Sequence, residues 1–597
     1  MAVAAERLDR DDEPTPDFKV RRVNLTLNPT QDEQSLVGEL KNLFYKARAG
    51  KRPIASQWYK NYRVLRNRTW MTGRPEWLPA PEVPEIYPIV TSMVGWMTDQ
   101  RPQIEIAPFA LPNSDFYSFM DAVADDLAVA IKSTWNVNGW DSEIERMLWD
   151  GWTYGTGFLK ATWDSTLDMG LGNASLKRLD PFTLYPDPAA SSMDNSNYFI
   201  EAYTISLQEM DRRWPGSTDK IRQGSVEEVD EHPKRSEDRS QVPRTNPGAI
   251  SPNTSPSWGR PGQGRESINP TDDPGITVFE CWLREHDVVD KGDDDVCVYD
   301  TWRVVVVAGN RVLMDEDADE LWSHGKHPYV RYVPHEVGEF WGFSIVEMLA
   351  PSQLSINRLL GALQLNVELV GNPIFIEGSR SGMQRQRVTN KPGSRHTVND
   401  NSRADWLNPP QVHPMMMGLI EWYIKEMERV SGLSAITRGS TPSGRNAQGV
   451  LDSVQEASFV RIRMALRNLE YTLREAGNLI ASLIVEYYDE PRFVAIVGPD
   501  GTKSMRALKA KHFYTPTDAG SEPMKYTLQV SAGSALATSP AQRRADAIQL
   551  GTLGFLPPGA VLEAFDWPNR EEATAQANAI QASSGGPGAR QKAGRTS

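Results

Sequence analysis

Cysteine is nearly missing. Cys281 and Cys297 are the only two in 597 residues. They fall on opposite sides of an expected hairpin, where two buried thiols in a reducing compartment are favoured over a cross-strand disulfide. The chain also lacks the Gly-x4-Gly-Lys-Ser/Thr phosphate loop, Gly-x-Ser-x-Gly, Cys-x-x-Cys, His-Glu-x-x-His, and a Gly-x-Gly-x-x-Gly after a strand. Nothing therefore points to ATP hydrolysis, serine catalysis, zinc hydrolysis or dinucleotide chemistry. Residues 1–18 are acidic and contain proline, without the apolar core of a secretory leader. Positive charge is in deficit as well, with 64 Lys and Arg against 78 Asp and Glu, a net charge of −14. A protein that grips DNA over its whole surface would be basic. The acidic balance therefore argues against extended non-specific phosphate contact.

A chain of this length carries several domains, and its alternation of helices with antiparallel-looking strands predicts α+β. Residues 1–27 read as a disordered arm. Thr30 and Glu33 form a capping box that opens a helix with Leu36, Val37, Leu40, Leu43 and Phe44 on one face. Basic and aromatic residues interleave from Lys46 to Trp70 (Arg48, Lys51, Arg52, Trp58, Tyr59, Lys60, Tyr62, Arg63). That pattern fits either a stacking platform for nucleic acid or, preferably, an amphipathic helix whose aromatics are core. Helices follow at 86–99, 114–136 and 141–154, with strands at 104–106, 157–163 and 174–179. Residues 217–274, rich in Ser, Pro, Gly, Arg and Asp, predict a mobile surface insertion, with a partner-binding segment as the alternative. Residues 276–334 read as β. The acidic turn 291–295 lacks the alternating ligands of a calcium loop. His324, His327 and His335 lack a fourth soft ligand for zinc. No cofactor or metal is expected.

The rest of the chain is organised around residues 342–447. Ile345, Met348, Leu349, Ile356, Leu359, Leu360, Leu363, Val367 and Val370 recur at helical spacing up to Asn372-Pro373. Glu347, Arg358, Glu368 and the amides of Gln353, Asn357, Gln364 and Asn366 interrupt the apolar run that a membrane span would need. A short strand at 374–376 leads into a basic module with Arg380, Arg385, Arg387, Lys391, Arg395 and Arg403 against the single acid Asp400. A second helix carries Met416, Leu419, Ile420, Tyr423, Ile424 and Met427 and ends at Ser431-Gly432. A Gly/Ser/Thr loop over 433–447 then precedes a helix to about Tyr488. Its Arg461, Arg463, Arg467 and Arg474 could touch DNA or, preferably, pair with acids such as Glu456 and Glu470. Strands at 492–497 and 525–531 follow, then a helical unit opened by Ser539 and a Gly/Ser/Arg tail over 583–597.

Two helices bracketing a small basic module, followed by a loop and a very long helix, resemble the stem, clip, tunnel loop and tunnel helix of tailed-phage portal proteins. Trp341-Gly342-Phe343-Ser344 and Asn372-Pro373 sit where that family bounds its first stem helix. Gly151-Trp152-Thr153-Tyr154-Gly155-Thr156-Gly157-Phe158-Leu159-Lys160 is similar to its helix-to-strand passage. Asp180-Pro181, Asp187-Pro188, Asp194 and Tyr198 look like its wing. The resemblance covers most of residues 35–565 in order, and the order is its specific part. It implies a wing at 28–341, stem helices at 342–371 and 413–432, and a clip at 372–412. It further implies a tunnel loop at 433–447, a tunnel helix at 448–490, wing return strands at 491–535 and a crown at 536–582.

By that resemblance the chain would be a structural protein without enzymatic activity. It would form a ring, usually of twelve subunits, at one capsid vertex in the virion, assembled in the host cytoplasm and without a membrane. Double-stranded DNA would pass through it during packaging and ejection, touched non-specifically by Arg438 and Arg445 of the tunnel loop. Inter-subunit salt bridging is the other role open to these two arginines. Arg380, Arg385, Arg387, Lys391 and Arg395 of the clip would dock the large terminase subunit and later the head–tail adaptor, while the major capsid protein surrounds the ring. A metal-dependent nuclease of phage DNA processing remains the alternative from another class. A head–tail adaptor is disfavoured by the chain length.

Overall fold

The computed structural model describes residues 29–70, 78–99, 102–108, 115–218, 221, 229–230, 275–290, 296–322, 324–371, 374–376, 405–407, 414–433, 447–497, 503–517, 520–523, 526–531, 547–549, 551–552 and 561. In chain order the elements are α1 (Gln31–Leu65), α2 (Ile86–Thr98), β1 (Gln103–Pro108), α3 (Asp115–Asn138), α4 (Trp140–Tyr154), β2 (Gly157–Asp164), β3 (Asn173–Leu179), β4 (Leu184–Pro186), β5 (Tyr198–Ile205) and α5 (Leu207–Arg213). They continue with β6 (Ile276–Asp290), β7 (Val296–Ala308), β8 (Arg311–Asp317), β9 (Tyr329–Tyr332), α6 (Ile345–Gly371), β10 (Ile374–Ile376), β11 (Asp405–Leu407), α7 (Met415–Ser431) and α8 (Ala447–Tyr487). The strands β12 (Arg492–Val497), β13 (Lys503–Leu508), β14 (Tyr514–Thr517), β15 (Gly520–Pro523) and β16 (Tyr526–Ser531) follow. The mixture of helices with antiparallel sheet is that of an α+β protein.

The largest sheet has strand order β4-β5-β6-β7-β8, and a three-stranded sheet runs β3-β2-β9. In β7 the run Val304-Val305-Val306-Val307 is buried throughout because both faces of the five-stranded sheet are covered. Val305 and Val307 meet α1 through Val37, Leu40 and Phe44, while Val304 and Val306 face the main core. Phe44 sits edge-on to Tyr185 and Phe279 at 4.9 and 4.8 Å, a favourable aromatic arrangement. The register pairs Cys281 with Val305 and Cys297 with Val289. The two cysteines are thus offset by roughly 25 Å along the ladder, which rules out the cross-strand disulfide.

Helix α1 opens as expected, with both bonds of the Thr30–Glu33 capping box formed. The other oxygen of Glu33 accepts from Arg311 Nε at 3.0 Å and Val312 N at 2.9 Å, pinning the helix start to β8. The platform reading of residues 46–70 is overturned at its centre: Trp58 and Tyr62 are buried and cannot stack on bases. Lys51 is buried too. Its ammonium donates to the carbonyls of Pro181, Phe182 and Leu184 at 2.7, 2.8 and 2.7 Å and lies 4.1 Å over the Tyr185 ring. Of the segment read as a mobile insertion, Ser217 and Ile221 are buried, Val229 packs beside α1, and Asp230 N donates to the Tyr185 hydroxyl at 2.9 Å. These few residues carry the apolar and hydrogen-bonding groups that dock; most of 217–274, like the acidic turn 291–295, lies outside the described residues.

The two sheets are joined by a buried charge cluster. Lys160 on β2 reaches Glu201 on β5 at 2.6 Å and Glu280 on β6 at 2.8 Å. The Tyr329 hydroxyl from β9 lies 3.0 Å from Glu201 and 3.2 Å from Glu280, and Trp282 Nε1 donates to Glu280 at 2.9 Å. Burial pushes the Glu201 carboxyl up, while the ammonium and the ring donors hold Glu280 low. Replacing Lys160 with Met leaves two carboxyls side by side in the interior, an expected loss of about 3–5 kcal/mol near neutral pH. Both native carboxyl pKa values then rise above the unfolded value near 4.5. The folded variant therefore binds more protons than the unfolded chain, and its deficit shrinks as pH falls toward that value. Denaturant titrations of Lys160→Met and the parent at pH 7.5 and 5 measure this; a pH-independent deficit contradicts it.

Candidate functional site: a projecting helical hairpin and its root

Two motifs far apart in sequence meet where α6 leaves the body. Gly155, at φ 89°, ends α4, and a Cβ there would lie 2.2 Å from the Gly342 carbonyl oxygen. A Cβ on Gly342 would lie 2.3 Å from the Gly155 oxygen. Only two glycines allow this backbone-on-backbone crossing. Gly342 N donates to Thr156 Oγ1 at 2.9 Å. Ser344 is buried, with its hydroxyl 3.0 and 2.7 Å from the Trp152 and Thr153 carbonyls, and it accepts from Val346 N at 3.1 Å to cap α6. Trp341 packs edge-on to Trp58, closing the root against α1.

About two turns further, α6 is clamped by the segment that joins α1 to α2. Gln353 and Asn357, one helical turn apart and each 1% exposed, point off the same face. Gln353 donates to Val83 O at 2.6 Å and accepts from Glu85 N at 3.1 Å. Asn357 accepts from Val83 N at 3.3 Å and donates to Thr69 Oγ1 at 3.0 Å. The amides that break the apolar run in the sequence are thus the groups that satisfy a non-helical backbone. A Cβ on Gly361 would meet Pro79, Pro81 and Trp70 at 3.3–3.4 Å, the last close approach of that segment.

Beyond Gly361 no described side chain of α6 is buried. The strand pair β10–β11 joins the end of α6 to the approach to α7, so the two helices form an antiparallel hairpin. On α7 the buried residues are Ile420, Met427 and Ser431, and Gly432 ends the helix at φ 74°. The hairpin leaves Val367 and Val370 of α6, and Met415, Met417, Leu419 and Trp422 of α7, exposed. Large apolar residues grouped on a projecting element mark a protein–protein contact.

Beside this, α8 runs for about 60 Å. Asn468 and Thr472 donate to the Val333 and Arg331 carbonyls at 2.9 and 3.1 Å, tying it to β9 and its exit. Arg467 and Arg474 are exposed, and Arg474 lies 5.0 Å over the Tyr471 ring. Arg461 and Glu456 are described in backbone only. The residues singled out as contact sites (Arg380, Arg385, Arg387, Lys391, Arg395, Arg438 and Arg445) lie outside the described residues. Burial pushes His324 and His327 down to about 3, leaving both neutral, and His335 lies edge-on to Trp152. Among the described residues no group of three or more His, Cys, Asp or Glu could hold a metal ion, and no helix is long and apolar enough to cross a membrane.

Comparison with protein families gives a match to the phage P22-like portal proteins over residues 55–593. The chain belongs to that family. A search of curated proteins returns no match. The family is a structural one, a component of the phage capsid, and it implies an oligomeric ring associated with that capsid. In this portal protein the two glycine-containing motifs converge on one joint. The roles of Ser344, Gln353 and Asn357 were not assigned from the sequence. For the amides the signal was present: two buried-type carboxamides at i, i+4 within an apolar helical stripe.

Gln353→Ala with Asn357→Ala strands the Val83 amide and leaves Glu85 N and Val83 O bonded only to each other, at 3.1 Å, a cost of about 1–3 kcal/mol for the stranded amide. Hydrogen exchange at the Val83 and Glu85 amides should accelerate at least tenfold; unchanged protection would show that the clamp holds without these side chains.

Proposed function

We propose that this chain is one subunit of a ring at a single capsid vertex, through which double-stranded DNA is packaged and later ejected. The observation that carries the reading is the α6–α7 hairpin, fixed at its root and bare at its far end. A long apolar-flanked hairpin has no reason to stand out from a monomer, whereas copies arranged around an axis cover one another's exposed Met, Leu, Val and Trp side chains. In this reading α6 and α7 are stem helices of a ring of about twelve, a number taken from the family resemblance, and α8 is the tunnel helix. Residues 372–412 form a clip, whose Arg380, Arg385, Arg387, Lys391 and Arg395 dock the large terminase subunit and then the head–tail adaptor. The major capsid protein encloses the wing.

Residues 433–447 face the lumen, with Arg438 and Arg445 near the DNA phosphates. Such contacts are sequence-independent, because a moving genome presents every sequence in turn. The sparse charge of α6, limited to Glu347, Arg358 and Glu368, and the acidic body fit a passage that does not grip its cargo.

Met417→Asp with Trp422→Asp should reduce the ring fraction in sedimentation at least tenfold without unfolding the chain, since both side chains are exposed. Rings of parental stability would contradict the stem assignment. Arg438→Ala with Arg445→Ala should lower DNA retention in filled capsids while leaving ring assembly intact. Unchanged packaging and retention would remove the lumen role from these arginines.

A further inference from the structure

Helix α1 crosses the five-stranded sheet from one edge strand to the other. Its first turn is pinned to β8, where Glu33 accepts from Arg311 Nε at 3.0 Å and from Val312 N at 2.9 Å. About 27 Å further along the axis, Lys51 donates to the Leu184 carbonyl of β4 at 2.7 Å. β8 and β4 are the two edges of that sheet. The helix then runs on past β4 toward the root of the hairpin, where Trp58 meets Trp341.

Charge is sorted along this line. From Leu40 to Pro75 the sequence holds no Asp or Glu, in a chain whose net charge is −14. Lys46, Arg52, Lys60, Arg63 and Arg66 are exposed there, while Trp58 and Tyr62 turn inward. Glu347 of α6 lies near Lys60; among the described residues the other four bases form no ion pair. The β8 end has the opposite sign. Asp315, Asp317, Asp319 and Glu320 are exposed on β8 and on the helical turn Ala318–Leu321 that follows it, and Asp32 and Glu39 are exposed on the first half of α1. The cations at this edge are already engaged: Arg311 is buried against Glu33, and Arg303 of β7 is shared between Asp315 and Glu285. Charged side chains keep an open edge strand from pairing with stray chains. That accounts for an acidic β8, but not for an acid-free stretch at the opposite edge.

We propose that the acidic β8 end of one subunit docks on the basic β4 end of the next, so that the strand order of this sheet runs around the ring. This rests on the ring reading above. A ring closed by one repeated contact needs two unlike and complementary faces on every copy. Here the two faces lie at opposite edges of one sheet, four strand spacings of about 4.8 Å apart. The sheet and α1 stand between them, so they cannot meet within the subunit. Opposed charge of this kind fixes the partner and the register of a contact more than it adds affinity, which the apolar hairpin supplies. A nucleic acid laid along α1 would run onto Asp32 and Glu39 and would find no aromatic ring to stack on.

The test reverses charge at each end in turn. Lys46→Glu with Arg52→Glu places acids in the basic end, and Asp317→Lys with Glu320→Lys places bases in the acidic end. All four side chains are exposed, so both variants should fold as the parent does. Each alone should raise the concentration at which half of the chains are in rings at least tenfold, read by mass photometry at about 50 mM salt, where screening is weak. Mixed in equal amounts, the two should assemble close to the parental concentration, as rings in which they alternate. Parental assembly of either variant alone, or a mixture no better than its components, overturns the proposal while the ring reading stands. Weakened duplex DNA binding by the Lys46→Glu, Arg52→Glu chain, with its assembly intact, gives the basic end to phosphate and overturns it as well. A parent chain that forms no rings under any condition overturns the ring reading and this contact with it.

Discussion

The crossing of Gly155 and Gly342 is the constraint on which the rest of the structure depends. It brings the end of α4 and the start of α6 within backbone contact, closer than any side chain would permit. The Ser344 hydroxyl then uses the last carbonyls of α4 to cap α6. The exit direction of the projecting hairpin is therefore set by main chain rather than by adjustable side chains. The Gln353 and Asn357 clamp holds the next stretch, so α6 is fixed along its first four turns and has no buried side chain among the described residues beyond Gly361.

The body that carries this joint is held by buried ions placed between layers. Lys51 ties α1 to the turn before β4, Lys160 ties β2 to β5 and β6, and Arg492 ties the strand after α8 to the β2–β3 turn. Arg178 pairs with Asp150, whose carboxyl is pushed up to about 7 by burial against the pull of the guanidinium. Such ions contribute little net stability compared with apolar replacements, but each is costly to leave unpaired. Their positions between sheets and helices make them devices of relative orientation, the property a ring subunit needs if many copies are to close without accumulated error.

Much of this was legible in the sequence. Local signals were enough for the Thr30 capping box, the helix ending at Gly432, the long α8 and the α+β mixture, because each depends on neighbours within a few residues. The order of α6, α7 and α8 was legible for the same reason. The partners of the buried ions were not: Lys51 meets carbonyls 130 or more residues away, and in sequence it reads as one more base in a basic-aromatic stretch. Strands β4 and β5 and the short α5 were missed, since the Asp-Pro turns around them dominate the local pattern.

Association around an axis is the central claim, and mass photometry of the purified chain with negative-stain imaging tests it most directly. The account predicts particles of about a dozen subunits with a central hole. A chain that stays monomeric at all concentrations, and that cleaves DNA when Mg²⁺ is added, would contradict it and favour the nuclease alternative.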